Sequence, residues 1–449
     1  MSRSPHRSIL ALSIAGLLAG CATNPPAAPI AHGVNSNQNI ATLIVLDQIL
    51  RADPNNVDAL VQRGLIHHQQ GDYDRAVDEE NRAIALNPHK GEAYAVRALA
   101  LYMKDQLDDA FADATHAIEL EPGTIDAYEL RGQIYADRGR YVEAIEEFDT
   151  TLKLDPNDDE ALAGRAFCLL QRDRYDEAIA DWNHLLQMEP NRLDAFAGRA
   201  FNYHQKGDDQ RAVEEYTRAI DGGMATSWNY RQRAKSFAIL GDQVHENADL
   251  DRTIATANAE LAEAPDRIDL LNNRGIAYAE RDQRARAIED LTRVIATGPQ
   301  SSESYVELAQ SYEALGDTDQ ALQTYSAGLA VRPQSSTLWN DRCWTRALAG
   351  QLDLALGDCT EALKRSPNYA AALDSRAFVH LKAGRFDQAI ADYDSALRIE
   401  PKMANSLYGR SLARRQRGDL KGAAEDRDAA LKIDPDLPHR YVEKYHITL

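Results

Sequence analysis

Between Pro367 and Glu400 the positions that would face a core fall into two sets. Leu373, Ala377 and His380 lie at i, i+4 and i+7, and so do Ala389, Tyr393 and Ala396. Each set makes one stripe along a helix. Gly384 breaks the pattern between them and a proline stands at either end, so the stretch predicts two antiparallel helices of similar length joined by a tight turn. The punctuation recurs. Pro54, Pro88, Pro122, Pro156 and Pro190 are spaced by 34 residues, and so are Pro265, Pro299, Pro333, Pro367, Pro401 and Pro435. A fixed period predicts a stacked array, because one helix pair cannot bury its own stripes and needs neighbours.

The period, with a large apolar residue, then a small one, then Tyr, Ala and Pro, resembles the tetratricopeptide repeat. The resemblance runs from Pro54 to Asp434 as eleven units, ten of 34 residues and one of 41. The small position of the first helix is filled throughout, by Gly64, Ala98, Gly132, Ala166, Ala200, Ala234, Gly275, Ala309, Cys343, Ala377 and Ser411. It implies an all-α, right-handed superhelical solenoid of antiparallel helix pairs. Its concave face, lined by first helices, would receive peptides or partner helices. By analogy the groove takes Leu65, Leu99, Phe167, Phe201, Ile276, Trp344, Phe378 and Leu412, with His68, Tyr102, Leu170 and His204 beside them. Two readings stand for these residues: half-burial between successive first helices, or an apolar peptide-binding stripe.

A charge pattern runs through the units. The residue before the small position is Arg in ten of them, with Leu308 the exception. Sixteen residues later, nine of those units carry Glu79, Asp113, Glu147, Asp181, Glu215, Asp290, Asp358, Asp392 or Asp426, and the Leu308 unit has Thr324. An antiparallel hairpin brings such positions opposite each other, which predicts a salt bridge inside each repeat. An Arg ladder for acidic ligands would not explain why Arg and acid vanish together.

The flanks and the one irregularity complete the organisation. Residues 1–20 carry Arg3, His6 and Arg7, then an apolar run ending at Leu18-Ala19-Gly20 before Cys21, an export signal that resembles a bacterial lipoprotein signal. This implies lipid on Cys21, and Ala22 at the next position favours the outer membrane, facing the periplasm. Residues 21–39 read as the lipidated cysteine and a flexible tether, 40–53 as a capping helix, 54–223 as units one to five, 224–434 as units six to eleven, and 435–449 as a C-terminal cap with a short helix over 438–444. Gly222-Gly223 precedes the unit that carries seven extra residues within 242–264. Seven residues add about two turns, predicting a second helix over about 244–262 that projects beyond its neighbours.

Chemistry adds little. Cys343 and Cys359 fall opposite each other in the same register, as a disulfide or as two buried thiols; Cys168 is alone. Removing Arg3 and Arg7 takes the formal charge from -20 to -22, which argues against nucleic acid. His67, His68, His439 and His446 lack a third ligand, and there is no HExxH and no Gly-rich phosphate loop. The sequence therefore predicts no catalytic site, no metal and no cofactor. It points to a lipid-anchored periplasmic scaffold for protein or peptide partners, or alternatively a self-associating envelope protein. Envelope lipoproteins of similar design serve peptidoglycan enzymes, pilus or secretion machinery, and outer-membrane assembly.

Overall fold

The computed structural model describes residues 36–298, 301–443 and 445. The export signal, Cys21, most of the tether and His446 lie outside them. The described residues form 24 helices, from Ser36–Ala52 to Leu437–Glu443, which pair antiparallel in sequence order. They divide into two compact units, one through Asp249 and one from Leu250.

Each repeat follows from its local chemistry. First helices run 12 to 14 residues and, apart from Gln243–Glu263, second helices 13 or 14. The turn between them needs one residue in the left-handed region. Glycine fills it in eight repeats, among them Gly71 (φ 79°) and Gly384 (φ 72°), while Asp105, Asp173 and Asp282 take it at φ 56° to 60°. Glycine adopts this conformation without a Cβ penalty, and aspartate is among the few other residues that visit it.

The large position of the second helix is matched against the next repeat. Gly164 faces the Phe148 ring, Gly198 faces Trp182, and Gly409 faces Tyr393; a Cβ at any of the three would lie 2.4 to 2.6 Å from a ring carbon. In the second repeat the large position is Ala114, and the residue in the glycine register is Leu130. Large against small keeps the spacing and the packing density constant.

The salt bridge recurs in all ten repeats that carry the arginine, including Arg97–Asp113 at 2.6 Å and Arg376–Asp392 at 2.7 Å. Sequence reading missed the tenth pair, Arg233–Asp249 at 2.7 Å, because the acid lies at the edge of the insertion. It also missed a second contact. Arg63, Arg97, Arg165, Arg199, Arg233, Arg274, Arg342 and Arg410 each donate as well to a residue sixteen positions earlier: Asp47, Asn81, Asp149, Asn183, Thr217, Asn258, Ser326 and Asp394. The guanidinium thus ties its own second helix to that of the preceding repeat, a use of the planar fork that lysine does not match.

The same register corrects two expectations. The long helix Gln243–Glu263 does not simply overhang: Asp249 meets Arg233 in the first unit and, nine residues on, Asn258 meets Arg274 in the second. Elsewhere the two contacts are two residues apart, as in Asp392 and Asp394, so the two extra turns lie between them. The capping helix begins at Ser36, inside the stretch expected to be a tether. Its Val45 occupies the register of the ladder acids and is exposed together with Ile40, Ile44 and Ile49.

Candidate functional site

First helices of successive repeats touch one another within each unit, so their outward side chains are the natural candidates for a binding face. The structure assigns most of the twelve candidate residues to packing instead. Leu65, His68, Leu99, Phe167, Leu170, Ile276 and Phe378 are buried; Tyr102, Phe201, His204, Trp344 and Leu412 are half-buried. The reading of an exposed apolar stripe therefore gives way to half-burial or full burial. The physical reason is the close approach that the small positions permit: the next residue is trapped between successive first helices.

The partners are specific. The Phe167 ring lies 6.2 Å from that of Tyr141, and Phe201 lies 5.7 Å from Trp228. The Tyr102 hydroxyl donates to Asp137 at 2.8 Å, and burial pushes that phenol up. His204 Nδ1 lies 2.6 Å from Asp209 Oδ1 and 3.0 Å from Ser236 Oγ. In the second unit the chain covers its own candidates. Tyr445 sets its ring 5.3 Å from Trp344 and 5.5 Å from Phe378, and Tyr441 packs on Tyr408 at 4.8 Å. The sequence signal for this was present, since Tyr441 and Tyr445 fall on the stripe of an unfinished unit.

The ladder arginines are no free cationic surface either, because each is engaged by an acid of its own repeat and is largely buried, as for Arg342 and Arg233. Cys343 and Cys359 are joined as a disulfide with Cα atoms 5.4 Å apart, and Cys168 is a buried thiol. Among the described residues no group of three or more His, Cys, Asp or Glu is arranged to hold a metal ion. The depressions found at the surface, about 330 and 540 Å³, lie at turns around Gly71 and Gln283.

Charge is organised differently at the start of the first helices. Lys90 Nζ bridges Asp58 at 2.8 Å and Glu92 at 3.1 Å. Arg192 bridges Asp159 at 2.7 Å and Asp194 at 3.1 Å. Between these two cations, Glu129, Asp158 and Glu160 are buried carboxyls.

Family models described as tetratricopeptide repeat match residues 45–91 and 376–438, and residues 135–180 and 277–340. The chain is a tetratricopeptide repeat protein. Over 96% of its length and 98% of the other chain it resembles the crystal structure of the APC/C hetero-tetramer Cut9–Hcn1, at 14% identity and a TM-score of 0.51, which is a likeness of fold. A tetratricopeptide repeat protein from Parabacteroides merdae aligns over 50% of this chain and 88% of its own, at 21% identity and a TM-score of 0.38. Pseudomonas aeruginosa pilF aligns over 43% and 88%, at 17% identity and a TM-score of 0.39. Neither of these two likenesses carries an argument here. No curated protein matches the chain. The tetratricopeptide repeats account for the helix pairs, the small positions and the left-handed turns described above.

Proposed function

We propose that this tetratricopeptide repeat protein is a non-catalytic scaffold that binds other proteins along the face made by its first helices, held at the periplasmic face of the outer membrane by lipid on Cys21. One observation supports the binding role above others: the described helices belong to repeats and their caps, and these leave surface, not a reaction centre, as what the fold offers. The cysteine context Leu18-Ala19-Gly20-Cys21 supports the anchor. Partners in envelope assembly, secretion or peptidoglycan remodelling suit that location. Self-association is the second reading, favoured by the exposed apolar side of the capping helix at Ile40, Ile44, Val45 and Ile49.

Photo-crosslinking in intact envelopes tests the binding face without disturbing the core. A photoreactive residue at Met103 or Gln205, on first helices, is expected to capture a partner that the same residue at Glu119, on a second helix, does not. The reverse pattern would discard the first-helix face, and capture of this chain alone would favour self-association. The mass of the mature protein, with Cys21→Ser as control, tests the anchor separately.

A further inference from the structure

We propose that the start of the fourth repeat is a subsite for a basic side chain, Lys or Arg, carried by a partner peptide. The inference deepens the protein-binding reading and rests on it. In the register before the first helix, Lys90 and Arg192 each bridge two acids of neighbouring repeats, at 2.7 to 3.1 Å. The residue in that register between them, one repeat before Arg192, is Asp158. It caps the helix Asp159–Leu170 by accepting from the Ala161 amide at 2.9 Å. A negative charge thus stands where those repeats place a positive one.

Two more carboxyls lie beside it. Glu129, Asp158 and Glu160 are 8%, 3% and 3% exposed, and neither carboxyl oxygen of Glu160 has a hydrogen-bond partner. The charges that act on them are acidic: Asp158, Asp126 and Glu160 on Glu129, and Asp159 and Asp158 on Glu160. Burial and this repulsion push Glu160 up to about 9 and raise Glu129 well above the carboxylate range. Arg192, the cation of the next repeat, is taken by Asp159 and Asp194.

The helix N-terminus favours negative charge by about half an elementary charge, which offsets one carboxylate and not three. Asp159 and Asp194 are partly exposed, with side chains 16% and 29% accessible, and form the open side of the cluster. An ammonium or guanidinium entering there supplies the donors that Glu160 lacks and lets the buried acids ionise, a charge-assisted contact in a low-dielectric setting. The described residues gather no metal-holding set, so an organic cation is the ligand the cluster fits.

The test uses the full chain and labelled hexa-arginine, with hexaglutamate as the control peptide. The variant Asp158→Asn with Glu160→Gln keeps the cap and the side-chain shapes, and is expected to weaken hexa-arginine binding at least about tenfold. Asp353→Asn with Glu361→Gln removes the same charge from a distant second helix and is expected to change it less than about twofold. Equal weakening in both would reduce the attraction to net charge and overturn the proposal. Asp158→Lys guards against misfolding: by placing a tethered cation where Lys90 has one, it is expected to raise Tm and abolish hexa-arginine binding. A lowered Tm, or binding that survives this change, would overturn the proposal. If hexa-arginine fails while crosslinking from Met103 and Gln205 still captures a partner, this inference falls and the binding reading stands.

Discussion

Glu80 sits where the other second helices place Phe148, Trp182, Tyr216 or Tyr393, fully buried, with both oxygens unpartnered. Burial, with Glu92 and Glu79 nearby, pushes its carboxyl up to about 10 from 4.5. Because the folded state holds the proton more tightly than the unfolded one, the stability at this site is complete below pH 4.5 and is lost as pH rises toward 10. Glu80→Met keeps the length and removes the conflict. It is expected to raise stability by about 1–3 kcal/mol at pH 8, and by much less at pH 4.5, measured by denaturant melts at the two pH values. The left-handed turns offer a second residue-scale check. Asp105→Gly removes a Cβ from a φ of 60° and is expected to stabilise by roughly 0.5–1 kcal/mol.

The charge ladder belongs to the scale of the element. Arg376 is 25% exposed and Asp392 12%, so Arg376→Ala would leave a mostly buried carboxylate without its cation and is expected to cost about 2–4 kcal/mol, somewhat less than a fully buried pair. The eighth repeat already shows the apolar alternative, with Leu308 and Thr324 buried in the same two positions and the Thr324 hydroxyl donating to the Gln320 carbonyl. Arg376→Leu with Asp392→Thr is therefore expected to lie within about 1 kcal/mol of the parent. A double variant as unstable as Arg376→Ala would show that the ion pair itself holds the hairpin. The disulfide staples one hairpin in the same register, across a sequence separation of 16. Reduction is expected to lower stability by about 3 kcal/mol on the loop-entropy estimate, an effect that should be absent when melts with and without reductant are compared for Cys343→Ala with Cys359→Ala.

At the scale of the whole molecule the ends of the array matter most, because a stack of repeats must cover its last apolar face. The C-terminal end is closed by Leu437–Glu443, with Leu437 and Tyr441 buried, and by Tyr445 over Trp344 and Phe378. Tyr445→Ser is expected to shift the Trp344 contribution to fluorescence to the red and to increase binding of an apolar dye; an unchanged spectrum would place the closure elsewhere. The N-terminal helix instead leaves Ile40, Ile44, Val45 and Ile49 exposed.

The sequence by itself determined what depends on spacing. Helix pairing, the small positions, the turn at Gly384 and the opposition of Arg376 to Asp392 follow from one 34-residue register, since residues a fixed distance apart on an antiparallel hairpin must meet. Contacts between repeats were beyond it. Whether Phe378 faces water or Tyr445, whether Arg410 also reaches Asp394, and whether the acid at Asp158 finds a cation are decided by how closely neighbouring repeats approach. That distance is set by side-chain volumes, as with Trp182 against Gly198, and burial is a property of the assembled stack. The fold was therefore legible along the chain, while the candidate face was legible only as a set of positions, and the tertiary structure decided which of them remain surface.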